Sequence, residues 1–260
     1  VYTVLDKTMV GNITNDMAEV GYYDNAQKIV KALLCLVTAM SSVMSSRIAS
    51  TFAEGNKDDM KVYLRQSIHL VWMIAVPFTL GLIGISKAFV PWYFGEGYEP
   101  VRYLMCATTP ILLAIGLSNI TGIQYLIQVG EQKIYTFSVV VGAIVNMIFN
   151  FILIHAIGTI GAVISTVLAE YTILAVQLYF VHQDISVKEF FKPSIKYLIA
   201  GTMMLFCVVL TGYFITNISL SIVVSILVGI VVYIAMLFLL KDTFFLLICN
   251  QIIGKFLKKK

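Results

Sequence analysis

The uncharged stretch Ile134–Ala169, IYTFSVVVGAIVNMIFNFILIHAIGTIGAVISTVLA, decides the class of protein to which this chain belongs. A bilayer hydrocarbon core of about 30 Å needs about 20 apolar residues per helix, so the stretch is too long for a single span. The segment HAIGTIGA, from His155 to Ala162, interrupts it, and we expect a tight turn near His155–Thr159. The stretch therefore predicts a pair of membrane-spanning helices.

Uncharged runs fill most of the remaining chain. The 260 residues are 59% hydrophobic and 12% charged, against roughly 45–50% apolar residues in soluble domains, and the mean hydropathy is +0.90. Further spans are expected at residues 27–52, 66–86 and 103–130, with another pair within residues 197–240, split near Thr216–Ser219. With residues 1 to about 14 as the end of one more helix, the sequence predicts an all-α, polytopic transmembrane helix bundle with seven complete spans.

The connecting segments alternate in charge. Lys or Arg occurs in residues 54–66, 129–133, 182–196 and 258–260, whereas the connections VPWYFGEGYEP, HAIGT and TNIS contain neither. Loops rich in Lys and Arg stay in the cytoplasm. We therefore expect a multi-pass protein of the cytoplasmic (inner) membrane, with its C-terminus inside and residues 15–25 outside. This topology accounts for the net charge of +4, so we expect no nucleic-acid partner.

The sequence gives no indication of enzymatic chemistry. Its four cysteines are far apart and form no CxxC pair, and its three histidines lack metal-binding spacing such as HExxH. It shows no nucleophile with a base and no nucleotide-binding loop. We therefore expect no enzyme activity, no metal and no organic cofactor. Because the chain begins at Val1 without the features of a signal peptide, we expect it to be part of a larger protein.

Charged residues inside the first predicted helices are the main functional signal. A turn centred near Ala18–Glu19 would place Asp6 and Lys31 at equal depth on antiparallel helices, with Lys7 beside them. A charge at the bilayer centre costs at least about 2.5–3.5 kcal/mol, and such residues pair or face a watery cavity. Three interpretations remain open: Asp6 and Lys31 neutralise each other for folding, they line a cavity whose lysines attract a polyanionic head group, or they lie at the headgroup level.

One face of the next predicted helix carries small polar side chains. They recur at intervals of three and four residues, which places them on one side of a helix: Lys31, Cys35, Thr38, Ser42 and Ser45. Such a stripe either lines a cavity or holds neighbouring membrane helices together. Thr38 and Ser42 therefore join Lys7 and Lys31 as candidate cavity-lining, substrate-binding residues.

Polar residues also interrupt the long uncharged stretch and its second helix. Asn146 and Asn150 lie four residues apart, after Gly142 on the same face. Polar groups in hydrocarbon must find partners, so these asparagines either bond to a neighbouring helix or contact the substrate or a coupling ion. Glu170 lies mid-span, where an unpaired carboxylate would stay protonated because burial disfavours its charge. It is either paired for structural reasons or, like Asp6, a candidate residue for proton or Na⁺ coupling.

Three stretches together resemble a known family. VLDKTMVGNITNDMAEVGYYDNAQKI (Val4–Ile29) resembles the segment that opens the second half of bacterial polysaccharide flippases of the Wzx type, members of the superfamily that contains the MATE-like transporters. WYFGEGYEP (Trp92–Pro100) is similar to their short external loop. QKIYTFSVVVGAIVNMIFNFILIHAIGTIGAVISTVLAEY (Gln132–Tyr171) is similar to their helix pair, with NxxxN on the first helix and a GxxGA turn. The three stretches occur in the family's order.

The resemblance implies the second lobe of a MATE-like transporter. Residues 1–183 would form a six-helix lobe with a truncated first helix, and residues 184–260 an additional transmembrane helix pair with a basic cytoplasmic tail. The implied function is to flip undecaprenyl-pyrophosphate-linked oligosaccharide across the cytoplasmic membrane for O-antigen, capsule or exopolysaccharide synthesis. Lipid-linked oligosaccharide and membrane lipid would be the ligands, proton or Na⁺ the candidate coupling ion, and a glycosyltransferase or polymerase complex the candidate protein partner.

Two other functions stay open. A cation-coupled multidrug exporter of the same superfamily would need an acidic cavity, whereas the first helices offer Lys7 and Lys31 against Asp6. A non-transporting membrane scaffold is the second alternative, because the family's transport cavity lies between two lobes and this chain would supply one.

Overall fold

The fold is a bundle of helices, seen in a computed structural model that describes residues 2–257, with the side chains of residues 2, 3, 40–43, 57, 252, 253 and 255–257 outside the description. The helices are α1 (Tyr2–Thr14), α2 (Met17–Ala53), α3 (Lys57–Phe94), α4 (Glu99–Thr108), α5 (Ile111–Asn119), α6 (Gln132–Ile157), α7 (Thr159–Val181), α8 (Val187–Phe191), α9 (Ser194–Phe214), α10 (Ile218–Leu239) and α11 (Thr243–Leu257). A π-helical segment, Ile120–Leu126, follows α5 directly.

Seven helical segments in the described range are long and apolar enough to cross a membrane. They are Met17–Ala53, Asp58–Phe94, Glu99–Leu126, Gln132–Ile157, Thr159–Val181, Val187–Phe214 and Ile218–Leu239. Helix α1 has 13 residues and precedes them. The predicted all-α class and the predicted seven spans, with part of an eighth, are therefore confirmed, and the chain is a multi-pass membrane protein.

The long uncharged stretch folds into the hairpin of α6 and α7. The chain reverses at Gly158, whose φ of 65° suits glycine, within the predicted turn. Close packing follows directly after it, because a Cβ built on Gly161 would lie 2.3 Å from the carbonyl oxygen of Leu153. Further along, a Cβ on Gly142 would lie 3.2 Å from the carbonyl oxygen of Ala169. The small residues of this hairpin thus let its two backbones approach closely.

The turn between α1 and α2 lies earlier than the sequence analysis predicted. Asn15 adopts a φ of 52°, and the Asp16 side chain caps α2 by accepting a hydrogen bond from the backbone N–H of Ala18 at 2.8 Å. Asn tolerates this left-handed conformation, and Asp is a preferred N-cap residue. The predicted centre at Ala18–Glu19 is therefore wrong, since both residues lie inside α2.

The third span is built from pieces rather than from one helix. Helix α4 ends at Thr108, Pro110 opens the next piece, and the π-helical segment continues α5. Proline lacks the N–H that a continuous helix needs, so a break at this point is expected. The π-helical segment packs against α2, α5 and α7.

Helices α9 and α10 pack as a pair against α3. The contact uses glycines on both sides: a Cβ on Gly84 would lie 2.7 Å from Val208, and one on Gly201 would lie 2.6 Å from Val76. The short helix α8 joins this region through Phe190, whose carbonyl accepts from the Trp72 indole N–H at 3.2 Å. The division into residues 1–183 and 184–260 stays a prediction, with its boundary in the connection between α7 and α8.

A buried carboxylate fixes the far end of the helix pair. Asp242 caps α11, accepting from the backbone N–H of Phe245 at 2.8 Å. It also accepts from the Tyr197 hydroxyl at 3.1 Å, and that hydroxyl lies 3.2 Å from Nδ1 of His69 on α3. One polar chain therefore connects α3, α9 and the start of α11, a helix in the segment that we predicted as a basic tail.

Candidate functional site

The most buried charged group of the described chain is the carboxylate of Asp6 on α1, which has no solvent exposure. Its Oδ2 accepts hydrogen bonds from the hydroxyls of Tyr23 and Thr166, each at 3.0 Å. Its Oδ1 accepts from Nδ2 of Asn150 at 2.6 Å. With Asn146, these residues form what we term the Asp6 cluster, contributed by α1, α2, α6 and α7.

The two predicted asparagines complete this cluster from one face of α6. Asn150 donates through Nδ2 to Oδ1 of Asn146 at 3.1 Å, as residues four apart on a helix can. Both are fully buried. Among the described residues, Oδ1 of Asn150 and Nδ2 of Asn146 have no hydrogen-bond partner. The cluster therefore keeps an unused oxygen acceptor beside a carboxylate.

The earlier turn changes the ion pairing that the sequence analysis predicted. With the reversal at Asn15–Asp16, the residue that lies level with Lys7 is Asp24, and these two form an ion pair. Lys28, one turn further along α2, pairs with the same carboxylate at 2.8 Å. The predicted depth match between Asp6 and Lys31 is therefore wrong. The turn lies three residues earlier than predicted, so the residue of α2 that lies level with α1 changes by six residues, roughly 9 Å along the axis.

Lys31 nevertheless lies near the same group of charges. Its half-buried side chain interacts electrostatically with Lys7, Asp6, Asp24 and Glu170. The lysines of α1 and α2 and the Asp6 cluster thus form neighbouring parts of one charged region in an otherwise apolar bundle.

Glu170 lies one helical turn beyond Thr166 on α7, on the same face. Its side chain is buried, and it lies within electrostatic range of Lys31. The structure therefore brings both predicted ion-coupling residues, Asp6 and Glu170, to the same side of α7.

The polar stripe of α2 lies away from the packed side of that helix. Val37 and Ile48 are buried in the core, whereas Cys35 is exposed and Thr38 half-buried. The Thr38 hydroxyl donates to the carbonyl oxygen of Leu34 at 3.0 Å. Further along the stripe, Ser45 accepts from Nε2 of Gln128 at 3.1 Å. The Ser42 side chain lies outside the described residues, so its predicted role stays a prediction.

The sequence analysis missed Tyr23, Asp24 and Thr166. Tyr23 and Asp24 fell into the segment predicted as external loop, because the turn was placed too late. The sequence analysis did not single out Thr166, a small polar residue in an apolar helix. Its spacing of four residues from Glu170 was the available signal.

Comparison with known proteins assigns the chain to a family. The family model described as lipid II flippase MurJ matches residues 12–233. The chain belongs to the MurJ family of lipid flippases. Members of this family are transporters and not enzymes, in agreement with the absence of catalytic motifs in the sequence.

Individual relatives of this MurJ-family chain carry glycan-related names. A putative O-antigen transporter of Escherichia coli (strain K12) is 24% identical over 165 residues, which cover 64% of this chain and 40% of the relative. A probable low-salt glycan biosynthesis flippase, Agl15 of Haloferax volcanii, is 21% identical over 189 residues, covering 72% of this chain and 39% of the relative.

A solved structure shows the same fold. A lipid II flippase MurJ in an inward closed conformation superposes with a TM-score of 0.79 at 22% identity, covering 93% of this chain and 51% of that protein. The chain thus spans about half the length of the proteins that it matches, or less.

Proposed function

We propose that this chain forms one lobe of a flippase that carries an undecaprenyl-pyrophosphate-linked oligosaccharide across the cytoplasmic membrane for surface polysaccharide synthesis. The observation that carries the proposal is the group of cations on α1 and α2. Lys7 and Lys28 share the carboxylate of Asp24 and Lys31 lies close to them, whereas the neighbouring acids Asp6 and Glu170 are buried. The membership of the MurJ family and the names of the relatives support a lipid-linked saccharide as cargo.

The physical task of such a flippase is to move a pyrophosphate and a hydrated glycan past about 30 Å of hydrocarbon. Charges in hydrocarbon are costly unless they are paired or hydrated. Lysines on one face of the lobe supply the countercharge, and the polar stripe with Thr38 and Ser42 supplies contacts for sugar hydroxyls. Rocking of this lobe against a second one then exposes the cargo to either side in turn.

We assign ion coupling to the Asp6 cluster. Hard cations prefer oxygen ligands such as carboxylates, amide carbonyls and hydroxyls. The cluster offers Asp6, the unused Oδ1 of Asn150 and the Thr166 and Tyr23 hydroxyls. A single buried carboxylate matches the single charge of Na⁺, which makes Na⁺ our first choice. A proton on Asp6 is the alternative, and Glu170 is the second candidate carboxylate.

The remaining parts of the proposal concern orientation and partners. The charge pattern of the loops supports a cytoplasmic C-terminus in the inner membrane. A glycosyltransferase or polymerase would deliver or take up the glycan, so we propose such a complex as the protein partner. Of the two other functions, the family match favours a carrier of lipid-linked saccharides over a multidrug exporter.

The test is a flipping assay in proteoliposomes with the flippase that contains this lobe. Lys31→Ala should lower the flipping of a fluorescent undecaprenyl-pyrophosphate oligosaccharide by at least about tenfold, because about 1.4 kcal/mol of lost binding has that effect. Lys61→Ala is the matched control, since Lys61 is an exposed lysine near the start of α3. Equal rates for Lys31→Ala and wild type would contradict the substrate assignment. Measuring the flipping of lipid II as a second cargo distinguishes a lipid II carrier from a carrier of oligosaccharide units for surface polysaccharide.

A further inference from the structure

A continuous group of aromatic rings lies at the end of α3 and in the loop that follows it, on the side that the charge pattern places outside. Phe89 stacks on Tyr93 with ring centroids 5.5 Å apart, and Phe94 stacks on Tyr98 at 5.3 Å. Tyr93 and Phe94 meet edge to face at 4.8 Å. Trp92 continues the group and is 53% exposed, and Tyr93 is 58% exposed. We term these five residues the aromatic platform.

The platform is held in place by its loop. Gly95 and Gly97 adopt φ values of 87° and 89°, which turn the chain back towards α4. The Tyr22 hydroxyl donates to the carbonyl oxygen of Gly97 at 3.3 Å, and the Tyr22 ring meets that of Tyr98 edge to face at 5.9 Å. Helix α2 therefore fixes the position of the exposed rings.

The chemistry around the rings suits carbohydrate. The negative face of an aromatic ring attracts the weakly positive C–H groups on the face of a sugar ring, and carboxylates accept hydrogen bonds from sugar hydroxyls. Exposed Glu96 lies in the loop, and exposed Glu99 follows it at the start of α4. These carboxylates would repel anionic lipid head groups, whereas the tyrosine hydroxyls and carboxylates can all bond to a neutral glycan.

The chain contains a second exposed aromatic pair that differs in these respects. Tyr213 and Phe214 end α9 and are 83% and 76% exposed. Their rings meet edge to face at 5.8 Å, and the connection that follows, Ile215–Asn217, carries no acidic residue. This pair has the properties of an interfacial membrane anchor, and it provides an internal comparison for the platform.

The platform also lies at a suitable distance from the lysines. Tyr22, which binds the loop, precedes Lys28 by six residues and Lys31 by nine, or roughly 9 Å and 14 Å along α2 at 1.5 Å per residue. A short oligosaccharide attached to a pyrophosphate at the lysines can bridge that distance. Building on the proposed function, we propose that the aromatic platform binds neutral sugar rings of the glycan at the outer end of the lobe.

The test measures glycan binding directly, without transport. Trp92 is one of two tryptophans, and the other, Trp72, is buried, so the difference between wild type and Trp92→Phe isolates the Trp92 emission. The chain in nanodiscs is titrated with chitotriose and with maltotriose. We expect a saturable change in the Trp92 emission with at least one sugar, and an apparent affinity about tenfold weaker in Tyr93→Ala, the loss of about 1.4 kcal/mol.

The matched control removes the other aromatic pair. A Tyr213→Ala, Phe214→Ala double variant should bind the sugar as wild type does. Brominated lipids in the nanodisc then report membrane contact, because bromine quenches a tryptophan that touches the acyl chains. Quenching of Trp92 by these lipids together with no saturable response to either sugar identifies an anchor and overturns the proposal. No response to either sugar, even without quenching, overturns it as well. Neither result depends on whether the flippase moves its cargo.

Discussion

At Asp6, hydrogen-bond donors from α2, α6 and α7 converge on one carboxylate. Such a site holds together only while position 6 accepts from all of them. An amide at this position would accept through one oxygen and turn its own N–H groups towards donors. The identity of this residue therefore matters both for ion binding and for the packing of α1 against the hairpin of α6 and α7.

The first residue-scale prediction concerns Na⁺. At a concentration ten times the dissociation constant, a bound ion stabilises the folded protein by about 1.4 kcal/mol. We expect the melting temperature of wild type to rise when NaCl replaces choline chloride, and the rise to vanish in Asp6→Asn. Asp58→Asn, at an exposed position in the first turn of α3, should behave as wild type. A wild-type melting temperature that is equal in both salts would contradict the Na⁺ assignment. Proton binding to Asp6 would then be the remaining alternative.

The second residue-scale prediction concerns Glu170. If this buried carboxylate takes part in coupling, Glu170→Gln should remove the dependence of flipping on pH or on Na⁺, because glutamine neither titrates nor carries charge. The measurement is the initial flipping rate in proteoliposomes across a pH series in NaCl and in choline chloride. Glu131→Gln, at an exposed residue before α6, is the control. A Glu170→Gln profile that follows wild type would exclude Glu170 from coupling.

At the scale of helices, the α6–α7 hairpin depends on close backbone contact. Gly161→Ala should lower the melting temperature, because the new Cβ would meet backbone atoms of Leu153 and overpacking typically costs about 1–3 kcal/mol. Gly21→Ala in α2 is the matched substitution, since a Cβ there has nothing within 4 Å. Alanine favours a helix over glycine by roughly 0.5–1 kcal/mol, so this variant should melt at or above the wild-type temperature. Equal melting temperatures for the two variants would show that α6 and α7 can move apart at position 161 without loss of stability.

The helical spans could be predicted from the sequence, but the depth of one helix relative to its neighbour could not. Span length is a property of local composition, so the seven spans and the turn at Gly158 were predicted from uncharged runs. The α1–α2 turn was misplaced because one N-cap residue, Asp16, decides where α2 begins. Moving the turn by three residues was enough to place Asp24, instead of the predicted Lys31, level with the charges of α1.

The composition of the site shows the same limit. Asp6, Asn146 and Asn150 stood out as polar residues in apolar helices, yet their meeting point depends on the tertiary packing of α1 against α6. Tyr23 and Thr166 are ordinary residues in a membrane helix, and only their contact with Asp6 marks them. Sequence patterns therefore indicated which residues are unusual, and the structure showed which of them share a site.

At the scale of the whole molecule, the orientation in the membrane can be tested with introduced cysteines. Glu96→Cys in the loop after α3 should react with a membrane-impermeant maleimide on intact cells, and Lys188→Cys in α8 should react only after the membrane is opened. Both positions are exposed, and the lysine-rich connections are expected inside. A background without the four native cysteines is needed. The reverse labelling pattern would contradict the predicted topology.

Three consecutive residues of α2 connect it to two other parts of the molecule. Tyr22 binds the loop after α3, Tyr23 binds Asp6, and Asp24 pairs with Lys7 of α1. Successive side chains of a helix point about 100° apart, so these contacts lie on different sides of the helix. Rotation of α2 about its own axis cannot relax one contact without straining the others. We therefore expect α1, α2 and the outer loop to move as one unit when the lobe changes conformation.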